Sequence, residues 1–191
     1  MQRPVGPGRS PHLEMSAEDV VTLMDSIEGA GIAVWLDGGW AVDAALEAQT
    51  RPHDDLDLVI ELNDVARLQE VLGDLGFLLA GGGAPKSFEM TDSEGRQIDV
   101  HPVVLSASGD GVYLMEDGEA WIYPASGFAG TGLVLDRHVR CLTPEAQVLC
   151  HGGYEPHLAS YDDVWALSRR FEIPVPAEYR RPRDSYPLRR P

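Results

Sequence analysis

With 191 residues, 43% of them hydrophobic, the chain has enough apolar content for a packed core and too much for a disordered one. Its formal net charge of −16 is uneven: residues 174–191 carry +3 and residues 1–14 carry +1, which leaves −20 between them. Such a surface repels phosphate backbones and argues against DNA or RNA as a partner. No apolar run reaches membrane-spanning length, the first residues lack the apolar stretch of a signal peptide, and Cys141 and Cys150 alone build neither a disulfide framework nor a zinc site, so a cytoplasmic protein is expected.

In chain order, Ser16 caps a helix whose apolar stripe is Val20, Val21, Leu23, Met24 and Ile27, stopped by Gly29 and Gly31. A short buried strand over 32–36 runs into Gly38-Gly39 and a helix over 40–47. A second strand spans 56–60, and Asn63 caps a helix carrying Val65, Leu68, Val71, Leu72 and Leu75. Strands follow over 77–80, 86–91 and 97–104, with residues 92–95 as the turn between the last two. Three short strands of a smaller sheet are expected at 120–123, 132–135 and 139–142. Thr143-Pro144 opens a helix, and another covers 161–171. The fold class is α/β (α+β): a mixed sheet flanked by helices, with helices at the C-terminal end. The two ends hold eight of the fourteen prolines, so an arm over 1–14 and a tail over 174–191 are expected to be flexible.

The chemistry concentrates in Arg51-Pro52-His53-Asp54-Asp55-Leu56-Asp57. On a strand, Asp55 and Asp57 share one face about 7 Å apart. Two like charges on a buried-looking strand repel unless a cation or protons compensate, and a hard divalent ion such as Mg²⁺ takes oxygen ligands while keeping positions for phosphate oxygens. Standing alone, the pair reads as a solvated strand edge. A third carboxylate, Asp99, lies in a β-like run and shares its face with His101. If the two strands are neighbours, three carboxylates around Mg²⁺ suit nucleotidyl transfer, with the free one taking a proton from the attacking hydroxyl. Upstream, Gly38 and Gly39 open a helix whose exposed N–H groups favour a phosphate. The glycine-rich stretch 80–87 is no P-loop, because Ala80 and Pro85 stand where glycines are needed; Lys86, the only lysine, is left as a phosphate or pyrophosphate contact.

Taken together, Leu36-Asp37-Gly38-Gly39-Trp40, Arg51-x-His53-x-Asp55-x-Asp57 and Asp99-x-His101-Pro102 resemble the antibiotic nucleotidyltransferases of the DNA polymerase β-like superfamily. Residues 144–154 are most similar to the short-type lincosamide nucleotidyltransferases; the aminoglycoside 2″-nucleotidyltransferases share the first two motifs. The resemblance implies that Asp55 and Asp57 bind Mg²⁺, that Gly38 and Gly39 hold the triphosphate, and that Asp99 is a third metal ligand, the base, or both. Arg51 and His53 would lie at the site, Arg51 on phosphate, and His101 would contribute there or only brace it. Glu89, on the strand before Asp99, is a second candidate base, left open because the hairpin register is not fixed by sequence. The catalytic core would be 15–105 and the substrate-facing region 106–173, where Tyr113, Trp121, Tyr123 and Phe128 form an apolar wall or pack in the core.

The expected reaction moves AMP from a nucleoside triphosphate, ATP foremost, onto a hydroxyl of a small-molecule lincosamide antibiotic. The alternatives are an aminoglycoside acceptor and a non-catalytic, antitoxin-like nucleotide-binding partner protein. The resemblance also implies a homodimer.

Overall fold

The computed structural model describes residues 14–115, 117–152 and 155–188. The expected arm over 1–14 therefore falls almost wholly outside the described residues, as do Gly153 and Tyr154 of the 144–154 segment.

Helix α1 (Ala17–Gly29) starts at a reciprocal cap in which Ser16 and Asp19 satisfy each other's backbone N–H groups. Strand β1 (Val34–Asp37) runs directly into α2 (Gly38–Leu46), so both glycines belong to the first turn of the helix. Asp37 caps it, accepting from the Gly38 N–H at 2.8 Å. Strand β2 (Asp55–Glu61) ends in a 3-10 turn, Leu62–Asp64, before α3 (Val65–Asp74). Asn63 lies inside that turn and does not cap α3, because the chain tightens before the α-helix begins.

β3 (Leu78–Gly82), β4 (Phe88–Thr91) and β5 (Gln97–Leu105) complete the order β1-β2-β5-β4-β3. β2 and β5 are parallel and the other neighbours antiparallel, which makes the sheet mixed. The far end of β5 pairs with β6 (Gly111–Leu114), which pairs with β7 (Ala120–Tyr123). This corrects the expected smaller sheet: residues 120–123 extend the main sheet through a strand the sequence reading missed. Only β8 (Thr131–Val134) and β9 (Arg137–Arg140) form a separate ribbon.

Helix α4 (Pro144–His151) begins at Thr143, whose side chain accepts from the Ala146 N–H. Helix α5 (Leu158–Phe171) is capped by His157. The expected flexible tail is corrected for residues 174–188. Tyr179 is fully buried, Tyr186 nearly so, and the two rings stack at 6.1 Å against the face of α5. Pro176 and Pro182 each open a short 3-10 turn, Ala177–Tyr179 and Arg183–Ser185, so the prolines shape the segment without preventing aromatic burial.

The sheet has two unlike faces. One, bearing Leu36, Leu56, Leu58, Ile98 and Val100, is buried under α1 and α3. The other carries Trp35, Val59 and Val103 against Tyr123, Leu142 and Ala146, and it continues into the polar residues of the candidate site. No helix among the described residues is long and apolar enough to cross a membrane.

Candidate active site

Strand pairing assembles the acidic residues. Asp37 stands opposite Asp57 across β1–β2, Asp57 opposite Asp99 across β2–β5, and Asp99 opposite Glu89 across β5–β4. Register partners share a face, so four carboxylates lie in one row across four strands, with Asp55 two residues from Asp57 on the same side. The carboxylates feel one another. Burial pushes Asp99 up to about 6, with the charges of Asp57, Asp55 and Glu89 adding to it against a hydrogen bond from Gln97. Asp37, 8% exposed, is likewise raised, chiefly by burial and further by Asp57, against the opposing pull of His101 and the Gly38 N–H.

Beside the row, a cavity of about 450 Å³ is lined by Asp37, Gly38, Gly39, Arg51, Asp55 and Asp57 from the core. Its other wall comes from Tyr113, Met115, Trp121 and Tyr123 of the β6–β7 region and from Cys150, His151, His157 and Asp163 around α4 and α5. Gly38 is in the left-handed region at φ 58°, and a Cβ there would fall 2.1 Å from an Asp57 oxygen. The glycine therefore lets the N-terminus of α2 press against the acidic pair.

Arg51 is held from two sides. Its Nη2 donates to Asp163 at 2.9 Å, and its Nη1 donates to Nδ1 of His53 at 3.0 Å. Guanidinium only donates, so His53 carries its proton on Nε2 and donates that to Asp43 at 2.5 Å. His53 is 2% exposed and packs beneath Gly39 rather than lining the cavity. His101 does line it. Burial alone would lower that imidazole, but Asp57 at 3.5 Å, with Asp37 and Asp99, holds it above its ordinary value.

Of the residues singled out from sequence, Gly38, Gly39, Arg51, Asp55, Asp57 and His101 meet at the cavity, as do Tyr113, Trp121 and Tyr123. Asp99 and Glu89 continue the row away from the lining residues. Lys86, in the loop between β3 and β4, and Phe128, packed edge-on against Trp35, are not among them. Sequence reasoning assigned no role to Asp37, Asp43, His151, His157 or Asp163. Asp37 was detectable as the cap immediately before two helix-opening glycines. Asp163 had no such signal, for its partner Arg51 is 112 residues away.

A divalent ion fits the donor set. Among the described residues, no group of three or more His, Cys, Asp or Glu forms a ready-made metal cage. What the chain offers is hard oxygen donors in mutual repulsion beside the cavity of about 450 Å³. Mg²⁺ is usually held by one or two carboxylates plus substrate phosphates, which is the arrangement Asp55 and Asp57 could supply.

The family model described as Aminoglycoside-2''-adenylyltransferase matches residues 19–167. A lincosamide resistance protein of Staphylococcus haemolyticus is 28% identical over 150 residues, 78% of this chain and 92% of that relative. A 2''-aminoglycoside nucleotidyltransferase of Escherichia coli is 38% identical over 60 residues, 29% of this chain and 34% of the relative. The crystal structure of the lincosamide antibiotic adenylyltransferase LnuA, lincomycin-bound, matches with a TM-score of 0.72 and 26% identity, covering 82% of this chain and 98% of that one.

Proposed function

The chain belongs to the aminoglycoside-2''-adenylyltransferase family and is a nucleotidyltransferase, and from that premise we propose that it transfers AMP from ATP to a hydroxyl of a lincosamide antibiotic in a Mg²⁺-dependent reaction. The observation that carries the reading is the carboxylate row beside the glycine-opened N-terminus of α2, facing an aromatic wall across one cavity.

Asp55 and Asp57 would hold Mg²⁺, which when bound would supply charge neutralisation on the triphosphate. At the start of α2, Gly39 would offer its backbone N–H to a phosphate oxygen, Gly38, whose own N–H is held by Asp37, lets the ligand approach closely, and Arg51 adds a fixed cation. The acceptor oxygen bonds to the α-phosphorus, the bond from that phosphorus to the bridging oxygen breaks, and pyrophosphate leaves with the electron pair. Asp99, adjacent to Asp57 in register, takes the hydroxyl proton; burial and its acidic neighbours make it a better proton acceptor than an ordinary surface carboxylate. Glu89 stands one strand further out and is exposed. Comparing Asp99→Asn with Glu89→Gln tells the two apart: the base is the one whose loss lowers kcat most with the nucleotide still bound.

The lincosamide acceptor is preferred over an aminoglycoside because the similarity to the lincosamide resistance protein runs along 92% of that relative, against 34% for the aminoglycoside enzyme. Tyr113, Met115, Trp121 and Tyr123 also give an amphipathic drug an apolar wall. The test is mass spectrometry of purified protein with Mg²⁺, ATP and both drug classes. A lincosamide carrying one added AMP, absent with Asp57→Ala, is expected; an adduct on aminoglycosides alone would move the assignment to the second class.

A further inference from the structure

The α4–α5 wall of the cavity holds a cluster that the transfer chemistry above leaves unused. His151 is 5% exposed and lines the cavity. Its Nδ1 donates to the Gln147 carbonyl at 2.7 Å, which fixes the ring and leaves Nε2 toward Asp163 at 3.7 Å, an ion-pair distance beyond hydrogen-bond range. Asp163 is shared with Arg51. His157 lines the same cavity; its Nδ1 accepts from the Ser160 N–H at 3.2 Å, so the neutral ring carries its proton on Nε2.

The cationic or cation-forming side chains lining the cavity are Arg51, His101, His151 and His157. His101 is engaged by Asp57. Arg51 and His151 form a continuous path from the glycine turn, in which Gly39 packs on Arg51, Arg51 meets Asp163 and Asp163 meets His151, and His157 lines the same cavity from the start of α5. Asp163 cancels one positive charge of this group and holds two side chains in place.

Resting on the nucleotidyl-transfer reading, we propose that His151 and His157, together with Arg51, form the site for the terminal diphosphate of the nucleotide, the part that departs as pyrophosphate. The site takes over the role that sequence assigned to Lys86, which does not line the cavity. The charged and titratable groups facing His151 are Asp163 from α5, Arg51 from the segment before β2, Asp37 at the end of β1, Cys150 beside it on α4, and Tyr179, whose hydroxyl donates to the His151 carbonyl at 2.7 Å. Burial disfavours the imidazolium, and Asp163, the Gln147 carbonyl and Asp37 outweigh it, so the ring titrates above its ordinary value.

The test is calorimetric titration of the full chain with inorganic pyrophosphate, with α,β-methylene ATP and, separately, with lincomycin. His151→Asn keeps a donor for the Gln147 carbonyl while removing Nε2, and His157→Asn keeps a good helix cap. Each variant is expected to bind pyrophosphate and the nucleotide analogue about tenfold more weakly and lincomycin unchanged. The His151→Asn deficit should close as pH rises and the wild-type ring loses its proton. Pyrophosphate binding within twofold of wild type in either folded variant overturns the proposal, as does loss of lincomycin binding with pyrophosphate binding retained. Should His151→Asn fail to fold, His157→Asn decides. If wild type binds pyrophosphate but forms no drug adduct, the acceptor assignment fails while the diphosphate site stands.

Discussion

A Cβ on Gly38 would lie 2.1 Å from a carboxylate oxygen of Asp57, so the first residue of α2 and the second carboxylate of β2 make a contact that only glycine permits. Gly38→Ala forces Asp57 aside and also places a side chain at φ 58°. It is expected to lower kcat/KM by more than about a hundredfold and to cost about 1–3 kcal/mol of stability. Steady-state kinetics and thermal melting read the two effects separately; wild-type kinetics in the variant would mean that the Asp57 position is unimportant.

The acidic row makes a prediction about the metal-free protein. Asp99 is raised to about 6 in the folded chain from an ordinary 3.8. The folded state therefore binds more protons than the unfolded state between those values, and this contribution to stability is lost as pH rises from about 4 to 6. Asp99→Asn removes the repulsion. In EDTA it should melt higher than wild type at pH 7.5, by on the order of 1–3 kcal/mol, with the gain vanishing near pH 4. A variant equally destabilised at both pH values would contradict a repulsive origin.

Beneath Gly39, Asp43 accepts from His53 at 2.5 Å and from the Thr50 hydroxyl and N–H at 2.6 and 3.0 Å. Asp43→Ala strands the buried His53 Nε2–H, while the exposed Thr50 donors turn to water, and should cost about 1–3 kcal/mol. Denaturant midpoints check this. Arg51, which leans on His53, should lose phosphate affinity in the same variant.

For the β6–β7 wall, Trp121→Ala is expected to raise KM for the acceptor about tenfold and leave KM for ATP unchanged. Equal increases in both constants would place Trp121 outside acceptor recognition.

The sequence revealed most where the signal is local. The i, i+2 spacing of Asp55 and Asp57 placed them on one strand face, and Thr143-Pro144 marked the start of α4. That Asp99 stands beside Asp57 depends on parallel pairing between β2 and β5, a long-range choice that no local pattern encodes. The Glu89 register is local by contrast, set by the β4–β5 hairpin, yet the residue types leave it open because a one-residue slip in the turn would shift it. Strand β6 escaped notice because its four residues follow directly on a loop of Ser106, Ser108, Gly109 and Asp110. Arg51–Asp163 joins residues far apart in the chain, so neither one announced the other. In the tail, arginine and proline dominated the composition and masked two tyrosines that pack on α5.

β7 pairs only with β6, and β6 meets the rest of the sheet through three positions at the end of β5. The carboxylate row has no such freedom, since a one-residue slip in β2 or β5 would turn its members to the opposite face. If the β6–β7 hairpin faces the acceptor as proposed, mutation can remodel it in small steps while the carboxylate row beside it stays fixed. A resistance enzyme built this way can change which antibiotic it inactivates faster than it can change how.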